Sequence, residues 1–302
     1  MKNDEANYPT RWGKLKLIQG PNRGKYPFCH SLLWDGDTKI IIDPASDPKA
    51  LKEIADRGGV DVILLSHYHE DHFAGMYLYP NAKLYIHRLD APAMMDNETI
   101  FDYYGMEKGT EERIRYEKAL AEFFHFSPRN VDVQFDDAQT LDFGDLRIEV
   151  IHTPGHSPGH CCFYLIEPDV LFLADYDLTR FGPWYGDKVS DLEDLVKSAD
   201  KIRHHPARWK VAAHEQPVLE GDLEEKWKNY LAVVDRREAA LLKFLSKPRT
   251  IEDIVRQWIV YGKAKEPVSF FEFGERGIMM KHIERMLQHG IISQQGNLYI
   301  KT

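Results

Sequence analysis

An apolar segment that ends abruptly in a cluster of metal-competent side chains constrains this 302-residue chain more than any other feature. Val62–Leu65 reads as a buried strand, and the six positions from 67 to 72 contain His67, His69, Asp71 and His72. Imidazole and carboxylate are the usual protein ligands of zinc and similar ions. A His-rich surface turn would account for these residues alone, but similar residues recur at other strand ends. The sequence therefore predicts a strand that opens into a metal site.

Three more candidate ligands follow apolar runs. His156 comes after a Pro154-Gly155 turn, which reverses the chain sharply and presents the next side chain. Asp175 closes the segment LFLA, and His214 closes VAA. Rigid strands fix ligands at their ends, while the connecting loops admit a substrate. Each residue alone is a weak signal, but together with the first motif they predict a metal centre built at strand ends.

Short apolar runs alternate with polar, helix-like stretches over the first 215 residues. We predict helices at 48–57, 110–124 and 191–204, and strands at 29–34, 39–43, 62–65, 83–87, 131–135, 146–151, 162–166, 170–174 and 209–213. Mixed elements of this kind indicate a layered α/β (α+β) domain. The composition agrees, because 43% hydrophobic and 29% charged residues are typical of globular proteins.

The pattern changes in the last quarter of the chain. Apolar residues recur at helical spacing over 222–246 and predict one long helix. Thr250 is a suitable N-cap for a second helix running to about Val260. A third helix is expected at 276–289, followed by a hairpin around 295–297. This order of elements resembles a winged-helix module.

The charge is also distributed unevenly. Residues 246–302 carry nine Lys and Arg against six Asp and Glu, a net of +3, whereas the whole chain carries −9. We therefore expect two domains, a catalytic one at 1–221 and a small, mainly helical, winged-helix-like one at 222–302.

The order of the ligand motifs resembles that of the metallo-β-lactamase superfamily. The matching features are His-x-His-x-Asp-His at 67–72, HTPGH at 152–156, and the strand-terminal Asp175 and His214. The segment HTPGHSPGH is especially similar to that of glyoxalase II and the N-acyl-homoserine lactonases. With the upstream strands, the resemblance covers nearly the first 220 residues. It implies an αββα sandwich with the metals at one edge of the two sheets.

The resemblance also implies a role for each ligand. One metal would be held by His67, His69 and His156, the other by Asp71, His72 and His214, with Asp175 as a bridge. Asp71 would in addition be catalytic, by orienting the nucleophile. His160 and Asp43 are expected to support the ligands from behind, as metal sites commonly require. His152 falls outside the ligand set.

Fewer features of the sequence indicate which residues contact the substrate. Tyr176, which replaces a smaller residue of the family pattern, and Trp184 and Tyr185 in the segment TRFGPWYGD are candidates for substrate binding. The stretch 88–130 reads as an insertion between the first two ligand motifs. Insertions there often cover the active site in this family, so we expect a lid.

Two divalent metal ions are the implied cofactors. Zn²⁺ is the default of the superfamily, and a mixed imidazole and carboxylate set also accepts iron and manganese. The expected nucleophile is a metal-bridged hydroxide, because metal binding lowers the pKa of water to roughly 7. The favoured reaction is hydrolysis of a small ester, thioester or lactone.

Two other enzymatic functions stay open. The superfamily includes an endoribonuclease branch with a winged-helix-like tail, so phosphodiesterase action is one alternative. The other is an iron-dependent persulfide dioxygenase or another redox member, for which His67, His156 and Asp175 would be retained. The di-iron oxygen-reducing branch usually has glutamate where this chain has His69, which counts against that branch.

Composition restricts partners and location. Three cysteines, two of them adjacent, are too few for a disulfide framework and favour a cytoplasmic protein. The first fifteen residues lack the apolar core of a secretory signal, and no apolar run approaches the ~20 residues that cross a bilayer. The charge of −9 makes nucleic acid an open but not favoured partner. We expect a small-molecule substrate and no membrane, and leave a homodimer open.

Overall fold

Seven strands form the first sheet, in chain order. In the computed structural model, which describes residues 8–302, they are β1 (Arg11–Trp12), β2 (Leu15–Ile18), β3 (Ser31–Asp35), β4 (Lys39–Ile42), β5 (Val62–Leu64), β6 (Lys83–His87) and β7 (Val133–Phe135). Pairing is antiparallel from β1 to β4 and parallel from β4 to β7. Residues 1–7, part of the segment expected not to be a signal, lie outside the described residues.

Five strands form the second sheet, in the order β12-β11-β10-β9-β8. They are β8 (Thr140–Asp142), β9 (Arg147–His152), β10 (Cys161–Leu165), β11 (Val170–Phe172) and β12 (Trp209–Val211). Only β11 and β12 pair in parallel, with Phe172 opposite Val211. Asp175 and His214, each three residues beyond these partners, therefore leave the sheet side by side.

Alternate residues of each strand face different layers. One core lies between the sheets and contains Leu32, Ile40, Ile42, Leu64, Ile148, Val150, Phe163 and Phe172. The intervening Ile41 and Ile63 pack against helices on the outer face of the first sheet. Ile151 and Leu171 do the same on the second sheet. The predicted αββα layering is confirmed.

Longer helices pack on the outer faces of the sheets, and shorter helical turns lie in the loops between strands. They are α1 (Pro21–Gly24, a single turn), α2 (Pro48–Asp56), α3 (Glu70–Phe73), α4 (Ala91–Met95), α5 (Asn97–Tyr104), α6 (Glu111–Glu122) and α7 (Leu192–Arg203), with a 3₁₀ turn at Met76–Leu78. Asp47, Thr110 and Asp191 cap α2, α6 and α7 by accepting a backbone N–H in the first turn. These three long helices are the ones that the sequence predicts.

The last part of the chain contains α8 (Leu223–Phe244), α9 (Ile251–Val255), α10 (Val268–Gln288), β13 (Ile292–Gln295) and β14 (Leu298–Lys301). Thr250 caps α9 through a reciprocal capping box with Asp253. The expected end near Val260 is wrong, because the chain leaves helical geometry at Trp258, whose φ is +52°. The third helix begins at Val268, earlier than expected, immediately after Pro267.

This last part does not have a core to itself. Leu241, Ile278 and Ile283 belong to one apolar cluster that also contains Tyr185 and Leu195. The sequence-based boundary at 221 and the winged-helix-like assignment stay predictions. Among residues 8–302, none of the helices has the length and apolar character needed to cross a membrane.

Candidate metal centre

All seven predicted ligands meet at one edge of the two sheets. The residues after β5 supply His67 and His69, and α3 turns Asp71 and His72 inward. The β9–β10 loop supplies His156, while Asp175 and His214 follow β11 and β12. Their donor atoms form two groups, one of His67, His69, His156 and Asp175 and the other of Asp71, His72 and His214.

The turn before His156 depends on a glycine. Gly155 has φ +124°, and a Cβ there would lie 2.1 Å from the backbone nitrogen of Leu195 on α7. No other residue fits this position without moving the helix. The Pro-Gly signal in the sequence thus reflects a close approach between the loop and α7.

In the first group the ring nitrogens point at one another. His156 Nε2 lies 3.1 Å from His67 Nε2 and 3.0 Å from His69 Nδ1. Asp175 Oδ2 lies 3.2 Å from the same His156 nitrogen. Ligands held tetrahedrally at 2.0–2.1 Å from a zinc ion are separated by roughly 3.3 Å. The spacing therefore fits a single divalent cation.

The second group has the same character. His72 Nε2 and His214 Nε2 are 3.2 Å apart, and Asp71 Oδ2 lies 3.8 Å from His214 Nε2. The other oxygen of Asp175 faces this group, 2.9 Å from His72 Nε2 and 3.4 Å from His214 Nε2. That Oδ1 atom is buried and has no hydrogen-bond donor among the described residues. A carboxylate with one oxygen towards each group suits a bridge between two cations.

Each ligand histidine uses its second ring nitrogen for a fixed hydrogen bond. The acceptors are Ser66 Oγ for His67, Asp187 Oδ2 for His69, Asp43 Oδ2 for His72, the Trp184 carbonyl for His156 and the Gly24 carbonyl for His214. Such contacts fix ring orientation and leave the opposite nitrogen free to bind metal.

Burial and neighbouring charges set the proton affinities of these rings. Burial lowers the pKa of His156 to about 4, and burial and His72 lower the pKa of His67 well below its usual value. Burial opposes the charge of His69 and His214 as well, but Asp187 and Asp175 respectively raise their pKa to about 9. Metal binding requires unprotonated imidazole, so a cation would compete with protons at the last two.

Asp43 lies behind the second group, as expected. Its Oδ1 accepts a hydrogen bond from the Ser66 backbone at 2.8 Å, and its Oδ2 accepts from Ser66 Oγ at 2.6 Å and from His72 Nδ1 at 2.8 Å. One buried carboxylate thus orients His72 directly and His67 through Ser66.

His160 and His152 occupy different environments. His160 is buried, bonds to Thr153, and places Nε2 3.5 Å from the backbone nitrogen of Asp175. It therefore packs behind the ligands without joining them. His152 bonds to the Pro158 carbonyl and stacks on His87, outside both ligand groups.

Asp187 is the supporting residue that the sequence analysis missed. Its Oδ2 accepts hydrogen bonds of 2.6 Å from both His69 Nε2 and the Tyr68 hydroxyl, and its Oδ1 accepts from Trp184 Nε1. It lies in an irregular loop that shows no periodic pattern. The available signal was an acidic residue at the end of an aromatic, glycine-containing segment, TRFGPWYGD.

Two of the expected substrate contacts are wrong. Tyr176 is 2% exposed and packs against Trp227, while Tyr185 is fully buried and bonds to His282 and Arg237. Both side chains belong to the interior because the loop carrying them is covered by α8 and α10. Trp184 is partly buried, and its carbonyl rather than its ring contacts a ligand.

The 88–130 insertion lies against the ligand groups. The Tyr104 ring stacks on His69 with centroids 5.6 Å apart and planes at 16°. Its hydroxyl donates to Glu70, the neighbour of Asp71 in the chain. The insertion thus forms a wall of the site, and its action as a lid stays a prediction.

Comparison with known proteins matches the chain to relatives of this architecture. Residues 30–214 match the family model of the Metallo-beta-lactamase superfamily. The chain is 32% identical over 168 residues to Glyoxylase B2 of Dictyostelium discoideum, covering 52% of this chain and 50% of that protein. It is 26% identical over 176 residues to Hydroxyacylglutathione hydrolase of Francisella tularensis subsp. novicida, covering 57% and 54%. It thus spans about half the length of these two relatives.

Another relative matches a larger share of the chain. An atrochrysone carboxyl ACP thioesterase of Pseudocercospora fijiensis is 25% identical over 273 residues, covering 84% of this chain and 68% of that protein.

Solved structures match nearly the whole fold. A metallo-beta-lactamase family protein from Thermus thermophilus has a TM-score of 0.72 at 22% identity, covering 96% of this chain and 99% of that one. A beta-lactamase domain protein from Burkholderia ambifaria has a TM-score of 0.68 at 16% identity, covering 98% and 96%. At these sequence identities the likeness shows a shared fold and nothing about activity. The family model, however, covers more than half of the chain and includes all seven ligands, so the chain belongs to the metallo-beta-lactamase superfamily.

Proposed function

We propose that the chain is a binuclear metal-dependent hydrolase that acts on thioesters. The observation that carries the proposal is the convergence of seven ligand side chains in two groups that share Asp175. A hydroxyacylglutathione hydrolase and an ACP thioesterase are among the relatives, which supports a thioester over the other esters and lactones expected from the sequence.

The ligand residues divide between the two ions. His67, His69 and His156 would hold one ion, Asp71, His72 and His214 would hold the other, and Asp175 would contribute to both. Two divalent ions, when bound, supply Lewis acidity and an activated water. We favour zinc, because the donors are imidazole and carboxylate without thiolate and zinc is the usual metal of this superfamily. Iron and manganese suit the same donors.

We assign Asp71 a catalytic role besides metal binding. Its carboxylate belongs to the second group and lies 3.8 Å from His214 Nε2 and 3.9 Å from His72 Nε2. There it would orient the attacking water and accept its proton. As the bond between the carbonyl carbon and sulfur breaks, that proton would pass to the leaving thiolate.

The test is hydrolysis of a thioester by wild type and Asp71→Asn, with metal content measured on the same samples. General acid–base groups contribute roughly 10²- to 10⁴-fold, so we expect kcat to fall by that range at full metal occupancy. An Asp71→Asn protein that keeps both metals and the wild-type rate would exclude this role.

A substrate panel separates the competing functions. Cleavage of bis-(p-nitrophenyl) phosphate without thioester cleavage would favour the phosphodiesterase alternative. Oxygen uptake with a persulfide and one iron per chain would favour the dioxygenase. The complete Asp71, His72 and His214 group favours the binuclear hydrolase over a mononuclear enzyme, which would not require it.

A further inference from the structure

Aromatic side chains from three distant segments meet on one surface. We call this surface the aromatic band, and it consists of Tyr26, Phe28, Phe123, Phe124 and Phe270. Successive ring centroids are 6.4 Å apart for Phe28 and Phe123, and 4.9 Å apart for Phe123 and Phe124. The distances are 6.2 Å between Phe124 and Tyr26 and 5.6 Å between Tyr26 and Phe270. The rings thus form an unbroken series from the α1–β3 loop through the end of α6 to the start of α10.

Much of this surface faces solvent. Tyr26 is 46% exposed, Phe123 51% and Phe270 48%. Single exposed apolar residues are common, whereas contiguous exposed apolar surface marks a binding site. The half-exposed rings of Tyr26 and Phe270 contact each other, and the buried Phe124 joins Tyr26 to the half-exposed Phe123, so these rings are a candidate ligand surface.

One member of the aromatic band, Tyr26, lies beside the ligand groups. The Tyr26 hydroxyl donates to Glu70 Oε1 at 2.8 Å, and Glu70 directly precedes Asp71. The Gly24 carbonyl, two residues before Tyr26, accepts the hydrogen bond from His214 Nδ1. Both contacts place Tyr26, between Phe124 and Phe270 in the band, next to the second ligand group.

Charged side chains precede Tyr26 in the chain. Arg23 and Lys25 form ion pairs of 2.7 and 3.1 Å with Glu215, the residue after His214. The surface next to the second ligand group therefore has a polar part at Glu215 and an apolar part along the band. A substrate with one polar and one apolar arm matches this division.

We propose that the aromatic band binds the apolar chain of the acyl group of the substrate. The proposal rests on thioester hydrolysis, since the reacting carbonyl must lie at the ligand groups and its acyl chain must then leave the site. A hydrocarbon chain would cover the exposed rings, whereas a polar thiol carrier would leave them hydrated. Medium and long acyl chains are thus the substrate class, and short polar acyl groups are poor substrates.

The experiment compares kcat/KM for acetyl, butyryl, hexanoyl, octanoyl and decanoyl thioesters of N-acetylcysteamine. Burial of each methylene against the rings raises kcat/KM by up to about fourfold, so kcat/KM of the wild type rises with chain length. Phe123→Ala and Phe270→Ala each lower the ratio of decanoyl to acetyl kcat/KM by about tenfold or more. The control, Ile114→Ala, removes an exposed apolar side chain from α6 outside the band and leaves this ratio unchanged.

The outcomes separate this proposal from the proposed function. Thioester hydrolysis with no dependence on chain length, unchanged in both variants, overturns the acyl site and leaves the hydrolase standing. If the wild type cleaves no thioester, the acyl-binding proposal is tested by measuring decanoate and hexanoate binding with calorimetry. The proposal is supported if the wild type binds decanoate more tightly than hexanoate and this difference is lost in Phe123→Ala. Equal binding of the two acids by the wild type overturns it.

Sedimentation of the wild type and the Phe123→Ala, Phe270→Ala double variant tests a second copy of the chain as the occupant. A wild-type dimer that becomes monomeric in the double variant, with the chain-length dependence unchanged, assigns the band to self-association and overturns the proposal. If the double variant has the oligomeric state of the wild type but a weaker dependence of kcat/KM on chain length, the proposal is supported.

Discussion

Five ligand histidines share one arrangement, with a ring nitrogen towards the metal groups and the other nitrogen towards a fixed acceptor. Two of these acceptors are backbone carbonyls, at Gly24 and Trp184, and depend only on the path of the chain. Asp43 could be expected from the sequence because it closes a strand. Asp187 could not, because it lies 118 positions from its partner His69, in a loop without periodicity.

Replacing Asp187 with Asn tests how much its hydrogen bond with His69 contributes to metal affinity. The variant loses the charge that faces His69 Nε2, so the ring is held less firmly. Loss of such an outer partner typically weakens metal binding by 10- to 100-fold. We expect one of the two metals to bind that much more weakly in a chelator competition, while the other is unchanged.

Asp169→Asn is the matched control for this experiment. Asp169 also accepts a hydrogen bond from a tyrosine hydroxyl, that of Tyr164, but it lies in the β10–β11 turn, away from the ligands. Its replacement leaves both metal affinities unchanged. Equal affinities in Asp187→Asn and the wild type would show that Asp187 does not position His69.

A second residue-scale prediction concerns His87, which is buried outside the metal centre. Burial lowers its pKa to about 4, and His152 and Arg88 act in the same direction against Asp136 and Asp137. The unfolded chain takes up this proton near pH 6.5, whereas the folded chain does so only near pH 4. His87 therefore destabilises the fold as the pH falls from 6.5 to 4, and has no such effect above 6.5.

Replacing His87 with Phe keeps a ring on His152 and removes the titration. Between pH 7.5 and 5 we expect the variant to lose less unfolding free energy than the wild type, by an amount on the order of 1 kcal/mol. Urea unfolding at both pH values measures the difference. His204→Phe, at an exposed histidine, serves as the control. Parallel pH profiles for the wild type and His87→Phe would contradict the prediction.

At the scale of elements, the long and regular ones could be predicted from the sequence. Strands at 39–42, 62–64 and 83–87 carry apolar runs with clear ends, and α2, α6 and α7 begin at capping residues. The first ligand motif follows the strand at 62–64, and Asp175 and His214 follow the strands at 170–172 and 209–211, so these ligand positions could be predicted together with their strands.

Other elements could not be predicted because they are short or are stabilised by tertiary contacts. The strands β1, β2 and β8 have two to four residues, too few for a periodic pattern. The four residues of α3 lie inside the ligand motif itself. The burial of Tyr176 and Tyr185 depends on α8 and α10, which are distant in the sequence.

The 181–188 loop shows how such distant contacts reach the metal centre. Arg237 on α8 is buried and donates to the Phe181 and Pro183 carbonyls and to the Tyr185 hydroxyl. On α10, Lys281 donates to the Lys188 carbonyl at 2.6 Å. These bonds hold the loop that positions His156 and His69.

We expect Arg237→Met to destabilise the protein and loosen this loop. The variant leaves two buried acceptors and the part-buried Phe181 carbonyl without their donor, which costs about 3 kcal/mol or more in unfolding free energy. Metal should also bind more weakly at the His67, His69 and His156 group. Arg236→Met, at an exposed neighbouring position, is the control for both measurements. An Arg237→Met protein that is less stable but binds metal as tightly as the wild type would show that this loop does not affect metal binding.

At the scale of the whole molecule, the C-terminal helices pack against the loop that supports the ligand groups. Their apolar cluster includes Tyr185 and Leu195, which flank the loop that carries Asp187. Phe270 at the start of α10 also extends the aromatic band beside the ligand groups. A separately folding tail would have no such contacts, so the two regions are expected to unfold together.

Metal titration of the metal-free protein tests the central claim most directly. Thioester hydrolysis is measured as zinc is added in fractions of one equivalent per chain. A binuclear hydrolase gives activity that rises until two equivalents are bound and then levels off. Activity that is complete at one equivalent, or no thioester hydrolysis at two equivalents of zinc, iron or manganese, would contradict the binuclear hydrolase proposed here.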